Sequence, residues 1–170
     1  MPLPTRRLLA ALAGASLLFL LDARLALAAD AVLLLAAAAD ALLAPRGDRL
    51  RVERRAPERI ALGGTAEVRL TVVNATDRPV RLRLTDDLPP LLGRDGAGTH
   101  ELTVPPRRDA AAAYRVRAEE RGDAAWGDLH LRVAGPLGLA WTQRREGRAD
   151  PLRVQQGVLE VRTHRLLGMR

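Results

Sequence analysis

The sequence predicts a mainly β protein, an immunoglobulin/fibronectin-like antiparallel β-sandwich preceded by an N-terminal transmembrane helical hairpin. Three observations predict it: from Leu50 onward apolar residues recur at every second position, clusters of Gly, Pro, Asn and Asp separate these runs, and residues 8–44 are almost wholly Leu and Ala. The expected organisation is a membrane-anchoring hairpin over 1–45, a sandwich over 46–157, and a C-terminal segment 158–170 that leads to a downstream region.

The apolar stretch begins behind Arg6 and Arg7, is broken at Asp22 and Arg24, and continues to Ala44 with only Asp30 and Asp40 as charges. A single span needs about 20 apolar residues. The pattern fits one helix over 6–22, a turn near Asp22-Ala23-Arg24, and a second helix to Ala44, each about 25 to 30 Å long. Asp30 and Asp40 would then lie near opposite ends of the second helix, where a carboxylate costs least, and Pro45 and Gly47 would end it. The alternative is a cleaved signal peptide with Ala26-Leu27-Ala28 as its processing site. Residues 31–44 stay as apolar as those before them, which favours the hairpin. Arginines flank both ends, so both ends are expected on the cytoplasmic side of a bacterial inner membrane, with the sandwich facing the cytoplasm.

Strands follow from strict alternation. Val68, Leu70 and Val72 alternate with charged or polar neighbours, as do Val80, Leu82 and Leu84. His100, Leu102 and Val104, then Tyr114 and Val116, then Leu129, Leu131 and Val133 repeat the pattern. Turn chemistry falls between them at Gly63-Gly64, Asn74 to Pro79, Gly93 to Gly98, Pro105-Pro106 and Arg121-Gly122-Asp123. Gly127, between Trp126 and Leu129, suits a bulge. About seven strands with turns every 8 to 15 residues are expected of a sandwich.

Composition excludes several functions. No Cys is present, so there is no disulfide, thiolate nucleophile or Cys-ligated metal. The net charge of +7 comes from Arg alone, since Lys is absent. Arg is spread along the strands with almost no aromatic partners, so nucleic-acid binding is not expected. The aromatics are Phe19, Tyr114, Trp126 and Trp141, and the last three are expected to anchor the core or its edge.

Residue constellations point away from catalysis. Asp86 and Asp87 are adjacent on a strand, face opposite ways, and are read as a solvated strand end. His100, His130 and His164 lie on separate elements without ligand spacing. Arg46-Gly47-Asp48 and Arg121-Gly122-Asp123 are chance triplets in an Arg- and Gly-rich chain, and Asn74-Ala75-Thr76 belongs to a turn. Gly135-Pro136-Leu137-Gly138-Leu139-Ala140-Trp141 reads as a tight connection into a last strand. No nucleophile motif and no phosphate-binding loop is present. No enzyme activity, cofactor or small-molecule substrate is expected.

The order of features resembles the bacterial membrane proteins that carry the "domain of unknown function 58". The resemblance rests on the basic N-terminus and apolar hairpin, Leu50-Arg51-Val52-Glu53-Arg54-Arg55, Thr65 to Asn74, Glu120-Arg121-Gly122 and Gly135-Pro136-Leu137-Gly138-Leu139. It covers only the N-terminal half of such proteins. Their von Willebrand A-like C-terminal region has no counterpart among these residues. What the resemblance implies is membrane location and a MoxR-type AAA ATPase as partner.

The function expected is therefore that of a membrane-anchored, non-catalytic module that docks or scaffolds a protein partner. The alternative is an exported sandwich released from a signal peptide. Membrane lipid is the second expected partner, touched at the surface by Arg46, Arg49, Arg51, Arg54 and Arg55.

Overall fold

A computed structural model describes residues 2–45, 49–147 and 149–156. Arg46 to Asp48, His164 and the segment 158–170 lie outside the described residues. The chain opens with strand β1 (Pro2–Pro4), helix α1 (Arg6–Ser16), a 3-10 turn at Leu17–Leu20 and helix α2 (Ala23–Leu43). There follow β2 (Leu50–Arg55), β3 (Arg59–Ala61), β4 (Thr65–Asn74), β5 (Val80–Asp86), β6 (Leu92–Asp95) and β7 (Thr99–Val104). The last strands are β8 (Asp109–Ala118), β9 (Gly122–Ala125), β10 (Leu129–Ala134), β11 (Ala140–Glu146) and β12 (Pro151–Gln155).

The fold is mainly β and built as a sandwich. One sheet runs β1-β11-β10-β5-β7 and the other β2-β4-β8-β6, both antiparallel throughout. A small third sheet, β3-β12-β9, closes one end, and its β3–β12 pairing is parallel. The alternating apolar residues meet between the two large sheets. Val68, Leu70, Val72, Leu84, Val104 and Val116 are fully buried, with Leu82, Leu129 and Leu131 beside them. Each such side chain contributes about 1.5–3 kcal/mol when removed from water.

Five strands exceed the seven expected. The additional ones (β1, β3, β6, β9 and β12) are three to five residues long, too short for alternation to show. Gly127 is not a bulge: it lies between strands, where an added Cβ would come within 2.6 Å of the Asp87 carbonyl oxygen. Its role is close backbone approach, since Asp87 and Gly127 hydrogen-bond at 3.1 Å.

The helices follow from local capping. The Thr5 hydroxyl accepts from Leu8 N–H and starts α1; the Asp22 carboxylate accepts from the Arg24 and Leu25 amides and starts α2. Pro45 forces Ala44 into an extended conformation and stops α2. The two helices and the 3-10 turn pack together as a hairpin. At 21 residues α2 is about 31 Å long, a full hydrocarbon thickness, and is the one described helix long and apolar enough to cross a bilayer. The first arm reaches only about 24 Å, because α1 has 11 residues and the 3-10 turn adds 4. Asp30 is not near an end of α2 as expected: it is the eighth of the 21 residues and half-buried.

Candidate functional site

The base of the hairpin meets the sandwich at one side chain. Asp40, three residues before the end of α2, has no solvent exposure. Its Oδ1 accepts from Leu137 N–H at 2.6 Å, and its Oδ2 accepts from Leu139 and Ala140 at 2.7 and 2.9 Å. The Gly135-to-Leu139 string therefore does more than connect strands. With Ala140 it turns three amides inward around one carboxylate, a charge-assisted arrangement of the kind that holds anions. Gly138 has φ +71°, which permits the turn, and at Gly135 a Cβ would stand 2.3 Å from the Asp40 carboxyl carbon.

Residues ahead of the hairpin reinforce this junction. Thr5 N–H donates to the Leu139 carbonyl at 3.0 Å, and β1 extends the five-stranded sheet through Pro4↔Ala140 and Leu3↔Trp141. The sandwich thus draws on residues on both sides of the apolar stretch. Trp141 faces outward on β11 with Arg83 stacked over its ring at 5.0 Å, so it anchors the sheet surface rather than the core.

Beside the Asp40 clamp lies a cavity of about 510 Å³, bordered by the start of α1, the end of α2, the β4–β5 turn and the Gly135 loop. Arg7, Arg49, Arg78 and Arg81 line it. Of the arginines expected at a membrane surface, Arg49 is exposed on this cavity, while Arg51 and Arg55 are exposed on the outer face of β2 with Glu53 between them.

Arg54 is a correction. Its parity matches Leu50 and Val52, so it points into the sandwich with no side-chain exposure. Its Nη1 donates to Asp86 Oδ1 and to the Gly127 carbonyl, both at 2.8 Å, and Nη2 reaches Asp150 at 3.2 Å. A guanidinium held by two carboxylates and a carbonyl has no donor geometry to offer a lipid. Asp86 is a second correction: it is buried, not solvated, because it shares the inward phase of Val80, Leu82 and Leu84. Asp87 does face the other way, exposed and 2.9 Å from His130 Nε2.

Around Asp86 the core holds a polar cluster. The Tyr114 hydroxyl donates to Asp86 Oδ2 at 2.7 Å, His100 stacks on the Tyr114 ring at 5.4 Å, and the Arg94 guanidinium lies 5.1 Å from the ring centroid. Burial pushes the Asp86 carboxyl above its ordinary range, against the opposing pull of the Tyr114 hydrogen bond and Arg54. Burial also pushes the Tyr114 hydroxyl up, aided by Asp86. Burial, then the Arg94 charge, hold His100 below the usual histidine value. Arg54 further lies 5.4 Å over the Trp126 ring, which is 2% exposed. The cluster ties the two sheets together.

Among the described residues no group of three or more His, Asp or Glu side chains could hold a metal. Sequence reasoning missed Asp40 as a clamp, Arg54 and Asp86 as an internal pair, and Arg7, Arg78 and Arg81 as cavity residues. Strand parity carried the signal for the pair; the others come together only through tertiary contacts.

No family model matches the chain, and no curated protein matches it. Solved structures do. Alpha-2-macroglobulin from Escherichia coli, spanning domain MG7 to the C-terminus, aligns at 21% identity with a TM-score of 0.49, over 68% of this chain and 17% of that one. Salmonella alpha-2-macroglobulin, in a mutant form, aligns at 20% identity with a TM-score of 0.47, over 64% of this chain and 7% of that one. The chain spans only a small part of the length of these proteins, and the sandwich assignment rests on its own sheets.

Proposed function

We propose that the chain is a membrane-anchored, non-catalytic β-sandwich module that docks a protein partner at the cytoplasmic face of a bacterial membrane. The observation that carries this reading is an apolar helix pair left uncovered but locked at its base. Twelve of the fifteen exposed large apolar side chains among the described residues fall between Leu9 and Leu43. Leu20, Leu21, Leu27 and Leu35 are each more than two-thirds exposed. A patch of that extent needs a lipid or protein cover. The Asp40 clamp and the β1 pairing make the hairpin an integral part of the fold, and this supports its retention over removal as a signal peptide. Cleavage after Ala28 would strip β1 and α1 from the sandwich. Arginines at both ends of the hairpin support the inside orientation. The partner is a MoxR-type AAA ATPase in this reading, on the strength of the resemblance to "domain of unknown function 58" proteins, and edge strand β7 is where a partner strand could add.

The chain has no Cys, so single substitutions report topology cleanly. Leu21→Cys at the hairpin turn should label with an impermeant maleimide from the outer side of the membrane. Arg55→Cys should label only after the membrane is opened, and Leu35→Cys in neither case. Labelling of Arg55→Cys in intact spheroplasts, or a mature N-terminus near Ala29, overturns the reading.

A further inference from the structure

We propose that the cavity at the helix–sandwich junction binds the phosphate headgroup of an anionic phospholipid. The inference deepens the membrane-anchored reading and rests on it, since the lipid reaches the cavity from the bilayer surface. Four arginines from four separate segments line it: Arg7 on α1, Arg49 before β2, Arg78 in the β4–β5 turn and Arg81 on β5. Among the described lining residues the acidic side chain is Asp77, which Arg107 Nη2 engages at 2.6 Å, and Arg7, Arg78 and Arg81 supply the positive charge on which the site rests. Guanidinium groups favour phosphate oxygens through paired, charge-assisted hydrogen bonds. A space of about 510 Å³ accommodates a glycerophosphate group with room for the chain ends to leave.

The apolar side of the cavity distinguishes a lipid from a free anion. Leu43 is 65% exposed and Leu137 57% exposed, and both line the cavity that the arginines line. Leu43 is the final residue of α2, the point at which a membrane-crossing helix leaves the hydrocarbon. Cation and apolar surface meet there in the order that headgroup and acyl chain present them. Inorganic phosphate would use only the first.

The test uses the full chain in non-ionic detergent, titrated by calorimetry with dihexanoyl phosphatidylglycerol, dihexanoyl phosphatidylcholine and inorganic phosphate. The glycerol lipid should bind, the choline lipid and inorganic phosphate should bind at least about tenfold more weakly, and Arg78→Gln with Arg81→Gln should weaken the glycerol lipid by about tenfold. Arg7→Gln serves as an independent variant, with circular dichroism confirming the fold of each. Inorganic phosphate binding as tightly as the glycerol lipid overturns the lipid assignment. No binding, or binding indifferent to all three arginines, overturns the site. Because the short-chain lipids need no bilayer, these results are separate from cysteine labelling. Correct labelling without binding defeats the headgroup site alone, and binding without correct labelling defeats the anchor.

Discussion

Arg54 and Asp86 face each other across the two sheets at 2.8 Å, and neither side chain has any exposure to solvent. Such a pair is costly to halve, because the survivor remains as an unpaired buried charge. Arg54→Met should lower stability by about 3–5 kcal/mol, and adding Asp86→Leu should restore a substantial part of that loss. Denaturant unfolding followed by the near-ultraviolet signal of Trp126 measures both. A single variant within about 1 kcal/mol of the parent would remove the pair from any structural role.

Asp40 gives a more local prediction. Replacing it with Ala leaves one buried and two partly buried amide bonds without their acceptor, and the expected cost is about 1–3 kcal/mol. Hydrogen exchange should quicken at Leu137, Leu139 and Ala140 ahead of the strands around them. Gly135→Ala should mimic the effect by driving a methyl group into the carboxylate. Unchanged exchange at those three amides in both variants would contradict the clamp.

His100 predicts a pH dependence of definite sign. Its folded-state value lies below 6.5, so the unfolded chain takes up its proton first as pH falls. The stability this residue contributes is complete above pH 6.5 and is lost as pH falls through the range down to the folded value. The difference between parent and His100→Phe stability curves should therefore slope upward with pH there. Asp86, raised by burial, acts in the opposite sense above the ordinary carboxylate value of 3.8, and its charge opposes the lowering of His100. A flat difference curve would refute the assignment.

Asp30 is the charged residue farthest from either end of α2, and its Oδ1 is buried without a hydrogen-bond partner among the described residues. On the membrane-anchored reading, Asp30→Leu should favour insertion by about 3 kcal/mol. Translocon insertion of the isolated 6–45 segment, scored by glycosylation mapping, checks this. Equal insertion of parent and variant would indicate that the helix does not rest in hydrocarbon.

Period-two alternation made the large strands legible, since Val68, Leu70 and Val72, or Leu82 and Leu84, can satisfy it only by facing a common core. The same alternation already contained the internal pair. Arg54 shares parity with Leu50 and Val52, and Asp86 with Leu82 and Leu84, yet charge at the end of a strand invites a solvent-facing reading. Parity outranks charge when an opposite charge occupies the inward phase of a facing strand. Asp40 was hidden for another reason. Its acceptors are met by amides nearly a hundred positions away, and an Ala-rich helix offers no periodicity to show which side is covered. The short strands β3, β9 and β12 were invisible because they form only where neighbouring segments supply hydrogen-bond partners.

The pairing of Pro2–Pro4 with Ala140–Thr142 also fixes an order of events during synthesis. Residues 2–4 have no partner until almost the whole sandwich has been made. A hairpin that inserts as it emerges would therefore be in place while its own leading strand waits. Closing that strand brings together segments far apart in the sequence, and such distant contacts are slow to form because their entropy is lost before any contact compensates for it. Seating of β1 should be the final step of maturation, the moment at which anchor and sandwich become one body.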